Sequence, residues 1–188
     1  MMFEVLRTFI PGCVEIRPKV FEDARGRFIK TFHQEAFADM GINTEWPEEY
    51  YSVSKRDVLR GLHFQLPPHD HDKLVYCVDG EVLDVVVDLR MGSPAFGRHV
   101  AFSLSADKAN MVHIPKGTAH GFLVLSEKAT MMYKASTIYA PQYDTGILWN
   151  SAGIPWPVVN PILSERDRDL PPLSEFRTPF SYRNGIDG

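Results

Sequence analysis

The sequence predicts an all-β domain, an antiparallel sandwich or barrel of the jelly-roll kind. Three observations lead there. The middle of the chain is a series of short runs rich in β-branched and apolar residues. Turn-forming residues punctuate those runs at regular intervals. Helical periodicity is scarce and confined to two short stretches near the two ends.

Taken in order, residues 34–40 form the first helix candidate, closed by Gly41. Residues 73–78 read as a strand ending at Asp79-Gly80, a strong hairpin signal. Residues 81–89 follow, with Leu83, Val85, Val87 and Leu89 on one face and Val82, Asp84, Val86 and Asp88 on the other. Further strands are expected at 99–104, 111–114, 121–125 and 130–137. Between them lie Met91-Gly92-Ser93-Pro94, the segment 106–110 and Pro115-Lys116-Gly117. Ser164-Glu165-Arg166-Asp167 is a helix start with a capping pattern, cut short by Pro171-Pro172. Residues 178–188 have little to anchor them and are expected to be a loosely held tail.

The 188 residues, 44% of them hydrophobic, suit one domain with a sizeable core, or a core plus a dimerisation arm. A formal charge of -4 and the lack of any long basic run argue against nucleic-acid binding. Cys13 and Cys77 are too few for a disulfide framework, and Cys77 sits in an apolar run as a small hydrophobe. No signal-peptide pattern and no membrane-length apolar run is found, so a soluble cytoplasmic protein without a membrane partner is expected.

Chemistry concentrates around Arg60-Gly61-Leu62-His63-Phe64-Gln65 and Lys73. Gly61 permits a tight turn, Arg60 suits a phosphate or carboxylate, and the His63 imidazole accepts protons near neutral pH. Alone, His63 reads as an ordinary core or surface histidine. A lysine opening a strand usually reaches for water; turned inward with Val75 and Cys77, Lys73 would hold an enolate oxygen. Tyr133 and Tyr139, six residues apart, share one face of an unbroken strand, either as aromatic packing or as a phenolic acid opposite a histidine base. Asp84 is a carboxylate in a hydrophobic strand and needs a partner or solvent; His120 is the candidate partner. Asp167 reads first as the third residue of a capping box. A metal reading uses the His69-x-His71 pair with His120. Against it, no Glu follows closely after His71, and Lys73 would place an ammonium beside the ion.

These strings together identify a resemblance. Val58-Leu59-Arg60-Gly61-Leu62-His63-Phe64-Gln65, Lys73-Leu74-Val75, Gly92-Ser93-Pro94, Ile114-Pro115-Lys116-Gly117-Thr118-Ala119-His120-Gly121-Phe122 and Tyr133-Lys134 occur in the order seen in the dTDP-4-dehydrorhamnose 3,5-epimerase family, cupin-fold nucleotide-sugar epimerases. The similarity runs from Phe21-Glu22-Asp23-Ala24-Arg25-Gly26-Arg27-Phe28 to Pro161-Ile162-Leu163-Ser164-Glu165-Arg166-Asp167. It implies one cupin jelly-roll domain over 1–188, with 1–45 as an arm exchanged in a homodimer. By the same resemblance His63 is the general base and Asp167 its dyad partner, Lys73 stabilises the enolate and Tyr133 is the acid. Arg60, His120, Tyr139, Gln65 and Asp84 belong to the substrate site, and Arg25 and Phe28 contact the nucleotide. No metal or organic cofactor is implied. The implied substrate is a nucleotide-linked 4-keto-6-deoxy sugar, foremost dTDP-4-dehydro-6-deoxyglucose, inverted at carbon 3, carbon 5 or both in deoxysugar and surface-polysaccharide synthesis.

The chain also departs from that pattern. Glu48-Glu49-Tyr50-Tyr51 stands where the family usually has Gln-x-Asn-His, and Lys30 replaces a glutamate. Thr118 replaces a phenylalanine and His71 a glutamine. These positions alter the donors and acceptors offered to a base and phosphates, which keeps GDP- and CDP-linked sugars open as alternatives.

Overall fold

The computed structural model describes residues 2–182. Thirteen strands are present in that range: β1 (Phe3–Arg7), β2 (Val14–Pro18), β3 (Val20–Asp23), β4 (Gly26–Ile29), β5 (Glu48–Lys55), β6 (Leu59–Gln65), β7 (Lys73–Asp79), β8 (Glu81–Asp88), β9 (His99–Ser105), β10 (Met111–Ile114), β11 (Thr118–Val124), β12 (Lys128–Ala135) and β13 (Asp144–Gly146). Two short helices, α1 (Gln34–Asp39) and α2 (Glu165–Arg168), lie near the ends as expected.

The strands form two facing antiparallel sheets. One has six strands in the order β1-β2-β10-β7-β12-β5, the other five in the order β13-β6-β11-β8-β9. This is a cupin-like jelly roll. A separate hairpin, β3-β4, stands outside both sheets. The core between the sheets takes Val75, Cys77 and Met131 from the first and Val82, Val86, Phe102 and Phe122 from the second. The opposite face of β8, with Val85 and Val87, is also buried, under Ile147, Ile154 and Phe180 of the C-terminal segment. Both faces of β8 are therefore apolar, and its alternation is visible only through Asp84 and Asp88. Helix α1 covers the outside of the first sheet, where Phe37 packs with Phe3, Leu74 and Tyr76. No helix among the described residues is long and apolar enough to cross a membrane.

Three local expectations change. Asp79-Gly80 does not close a hairpin: β7 and β8 lie in different sheets, and Gly80, at φ 81°, turns the chain from one to the other. Gly61 is not in a turn but inside β6, where a Cβ would stand 2.6 Å from the Gly121 Cα. The two glycines let β6 and β11 approach, and the register shifts between His120 and Phe122. Residues 178–181 are not loosely held. Thr178 donates its hydroxyl to the Leu89 carbonyl at 2.6 Å, Phe180 is buried, and Ser181 bridges to Met91. Residues 183–188 lie outside the described range.

Candidate active site

The inward faces of the sheets are apolar over most of their length and turn polar at one end. On β7, Val75 and Cys77 enter the core, and Lys73, on the same face, reaches the polar end. On β6, Leu62 and Phe64 pack outward and leave His63 and Gln65 facing in. A pocket of about 280 Å³ opens between them. Its walls include His63, Gln65 and Asp144 from one sheet and Lys73, Glu48, Tyr50 and Ala135 from the other, with His71 and Tyr139 from the connecting segments.

Asp167 comes from α2, more than a hundred residues away in the chain. Its Oδ1 lies 2.6 Å from His63 Nε2, and its Oδ2 accepts the Gly61 N–H at 3.3 Å. The capping reading also holds in part, since the Asp167 N–H donates to Ser164 Oγ at 3.1 Å. The Asp167 side chain, however, does not return to the cap; it serves His63. Burial opposes its charge, but the hydrogen bond and charge of His63, with help from Gly61 and Ser164, hold the carboxyl below its usual range. A carboxylate on Nε2 fixes the proton there and leaves Nδ1 as the accepting nitrogen of a neutral imidazole.

Lys73 is buried. Desolvation pushes its ammonium down to about 8, Asp144 and Asp84 oppose that shift, and Arg166 adds to it. His120 Nε2 and Asp84 Oδ2 pair at 2.7 Å, both side chains buried, and His120 sits across from His63 in the β11–β6 register.

Tyr133 and Tyr139 do not share a strand face, because β12 ends at Ala135. Tyr139 lies beyond it, 54% exposed, with its backbone N–H on Glu48 Oε2 at 2.9 Å. Tyr133 points inward but does not line the pocket. Tyr50 is stacked on it, with ring centroids 4.7 Å apart and planes at 14°, and it is Tyr50 that faces the cavity. The Tyr133 hydroxyl meets Ser52 Oγ at 3.0 Å. Burial raises both phenols, Tyr50 to about 12.

Arg60 is exposed beside the site, its Nε on Ser54 Oγ at 2.9 Å. Arg25 and Phe28 are not brought to the pocket within one chain. They stand on the β3-β4 hairpin, Arg25 paired with Asp23 and Phe28, 62% exposed, beside Phe21. The metal alternative is not supported by the side-chain geometry. His69 lies against Tyr143, His71 Nδ1 against Gln65 and His120 against Asp84, and no group of three ligating side chains converges among the described residues.

Glu48, Tyr50 and Asp144 line the pocket without having been singled out as site residues in the sequence. For Glu48 and Tyr50 the signal was their departure from the family pattern. Asp144 carried none. It sits on β13, which pairs with β6 so that Asp144 lies opposite Gln65, and it holds Arg166 Nη1 at 2.7 Å.

The fold and the relatives of this chain together define the class: an epimerase of nucleotide sugars with a cupin-like fold. Residues 7–175 match the model of the dTDP-4-dehydrorhamnose 3,5-epimerase family, and the chain belongs to that family. It is 46% identical over 166 residues to the dTDP-4-dehydrorhamnose 3,5-epimerase of Shigella flexneri, covering 87% of this chain and 92% of that one. The dTDP-6-deoxy-D-glucose-3,5-epimerase of Legionella pneumophila, solved in complex with dTDP-4-keto-L-rhamnose, superposes with a TM-score of 0.91 at 34% identity, covering 96% and 99% of the two chains. ChmJ, a 3'-monoepimerase from Streptomyces bikiniensis solved with dTDP-quinovose, superposes with a TM-score of 0.84 at 36% identity, covering 88% and 85%.

Proposed function

We propose that this enzyme inverts carbons 3 and 5 of dTDP-4-dehydro-6-deoxyglucose, giving dTDP-4-dehydrorhamnose. The observation that carries this is the meeting of the His63–Asp167 pair, at 2.6 Å, with the buried Lys73 in one pocket. The 4-keto group acidifies the hydrogens on both neighbouring carbons. His63 removes one, Asp167 stabilises the imidazolium, and the Lys73 ammonium stabilises the enolate oxygen. Tyr133 returns a proton to the other face. Its phenol stays protonated because it is buried. Since Tyr50 covers it, Tyr50 must swing aside as the sugar enters. At about 280 Å³ the pocket takes a hexose ring, while the nucleotide extends over the rim. In the same reading the enzyme is a homodimer, and the exposed Phe21, Arg25 and Phe28 of one protomer's hairpin reach the nucleotide end of its partner's pocket. The unpaired thiols of Cys13 and Cys77 fit a cytoplasmic protein.

The test is solvent exchange in deuterium oxide, followed by NMR at carbons 3 and 5, with dTDP-, GDP- and CDP-linked 4-keto-6-deoxy sugars. Exchange and inversion at both carbons of the dTDP sugar, reduced about 10²–10⁴-fold in His63→Ala, is the expected result. In Tyr133→Phe, exchange should outlast inversion, because a base without its opposed acid returns deuterium to the same face. Exchange at one carbon would make the protein a monoepimerase. No exchange with the dTDP sugar would overturn the assignment.

A further inference from the structure

We propose that His71, as a neutral imidazole protonated at Nε2, donates a hydrogen bond to the same substrate oxygen that Lys73 serves. This rests on the enolate chemistry proposed above and adds a second donor to it.

The tautomer follows from a chain of hydrogen bonds that starts at the backbone. The Ala140 N–H donates to Gln65 Oε1 at 2.6 Å, which fixes the amide so that its nitrogen faces the other way. That Nε2 donates to the His69 carbonyl at 2.8 Å and lies 3.0 Å from His71 Nδ1. An amide nitrogen only donates, so His71 Nδ1 is the acceptor, and its hydrogen belongs on Nε2. The Thr137 hydroxyl, 3.0 Å from the His69 carbonyl and 3.3 Å from His71 Nδ1, is compatible with that assignment.

His71 Nε2 is buried and has no protein partner. A buried N–H without an acceptor costs free energy that a folded protein seldom concedes without a use. The ring lines the pocket alongside Lys73 and His63, and in this proposal its Nε2–H goes to the oxygen of a bound substrate. The ring also stays neutral. Burial, then the neighbouring Lys73 charge, pushes its pKa down to about 3. A neutral imidazole suits this position. It adds no charge next to an ammonium whose own protonated form is already strained by burial, and it strengthens its hydrogen bond as negative charge develops on the oxygen. Gln65, placed in the substrate site by the resemblance, thereby acquires a specific role, which is to set the tautomer of His71 from behind.

His71→Phe keeps the ring volume and removes the donor. His71→Gln puts an amide nitrogen near the place of Nε2. Steady-state kinetics on the dTDP sugar should show kcat reduced by roughly 10²–10³-fold in His71→Phe, with KM and Tm changed little. His71→Gln should recover most of that loss. In ¹⁵N NMR of the wild-type enzyme, His71 should show a protonated Nε2 and a bare Nδ1, with the Nε2 signal shifting when substrate is added. Wild-type exchange with an equally active His71→Phe would overturn the inference while leaving the proposed reaction standing. So would a bare Nε2, or a His71→Gln variant as impaired as His71→Phe. A wild-type enzyme that exchanges neither carbon sinks the reaction and this inference together.

Discussion

Lys73 carries opposite demands in one side chain. In the proposed reaction its ammonium is needed for the enolate, yet burial pushes its pKa from the ordinary 10.5 to about 8. Activity should therefore fall as pH rises through about 8, as the ammonium becomes an amine. Stability runs the other way. Between about 8 and 10.5 the unfolded chain still holds the Lys73 proton and the folded chain has released it, so this residue's contribution to stability rises with pH. Below 8 both states are protonated, and the folded state bears the full cost of a buried charge, about 3 kcal/mol. Lys73→Met should therefore be inactive and, at neutral pH, more stable by as much as about 3 kcal/mol, less whatever Asp84 and Asp144 lose without their cation. Denaturant titrations at several pH values would show the advantage fading between 8 and 10.5; a destabilised variant at pH 7 would contradict this account. Asp167 is a second residue with a sharp expectation. Asp167→Asn keeps the shape but lets an amide hydrogen face His63 Nε2, which favours the wrong tautomer, and kcat should fall by about 10⁴-fold, by analogy with other His-Asp pairs.

At the scale of elements, β13 and α2 hold the chemistry from behind. β13 is three residues long, and its Asp144 grips Arg166, the neighbour of Asp167 on α2. The two charges act on Lys73 with opposite sign: Asp144 raises its pKa and Arg166 lowers it. Asp144→Asn should move the alkaline limb of the rate profile to lower pH, and Arg166→Met should move it higher. Rate profiles of both variants against wild type check this, and shifts in the same direction would refute it. None of this was legible in the sequence. A three-residue strand has no alternation to read, and Asp144 meets Gln65 and Arg166 only through pairing across long stretches of chain. The strands of the middle of the chain were legible as apolar, β-branched runs set off by turn residues, and 111–114 was found with its observed bounds. β5 and β6, with exposed or polar residues and Gly61 inside them, were not read as strands. Gly61 and Asp79-Gly80 misled for a shared reason. Glycine signals a need for unusual backbone or close approach, and the sequence does not say whether the neighbour it makes room for is local, as in a hairpin, or distant, as Gly121 is to Gly61.

At the scale of the whole molecule, the jelly roll explains why the positions proposed as catalytic were easier to place than those proposed for the nucleotide. His63, Lys73, Asp84 and His120 lie on strands whose inward alternation is fixed by the core, so motif and geometry point to the same side chains. Arg25 and Phe28 stand on a hairpin outside both sheets, and nothing within one chain brings them to the pocket. Either their assignment to the nucleotide is wrong, or a second protomer supplies them. A mixing experiment separates the two. His63→Ala destroys a pocket, and Arg25→Ala combined with Phe28→Ala destroys a hairpin. If hairpins are exchanged, a mixed dimer contains one pocket with both defects and one with neither. Unfolding and refolding the two inactive variants together in equal amounts should then recover roughly a quarter of wild-type activity, since half the dimers are mixed and each has one intact site. If each protomer uses its own hairpin, every pocket keeps a defect and the mixture stays as inactive as its components. Full activity of the hairpin variant alone would instead remove Arg25 and Phe28 from the site and leave the dimer, measured by analytical ultracentrifugation, as a matter of stability and not of catalysis.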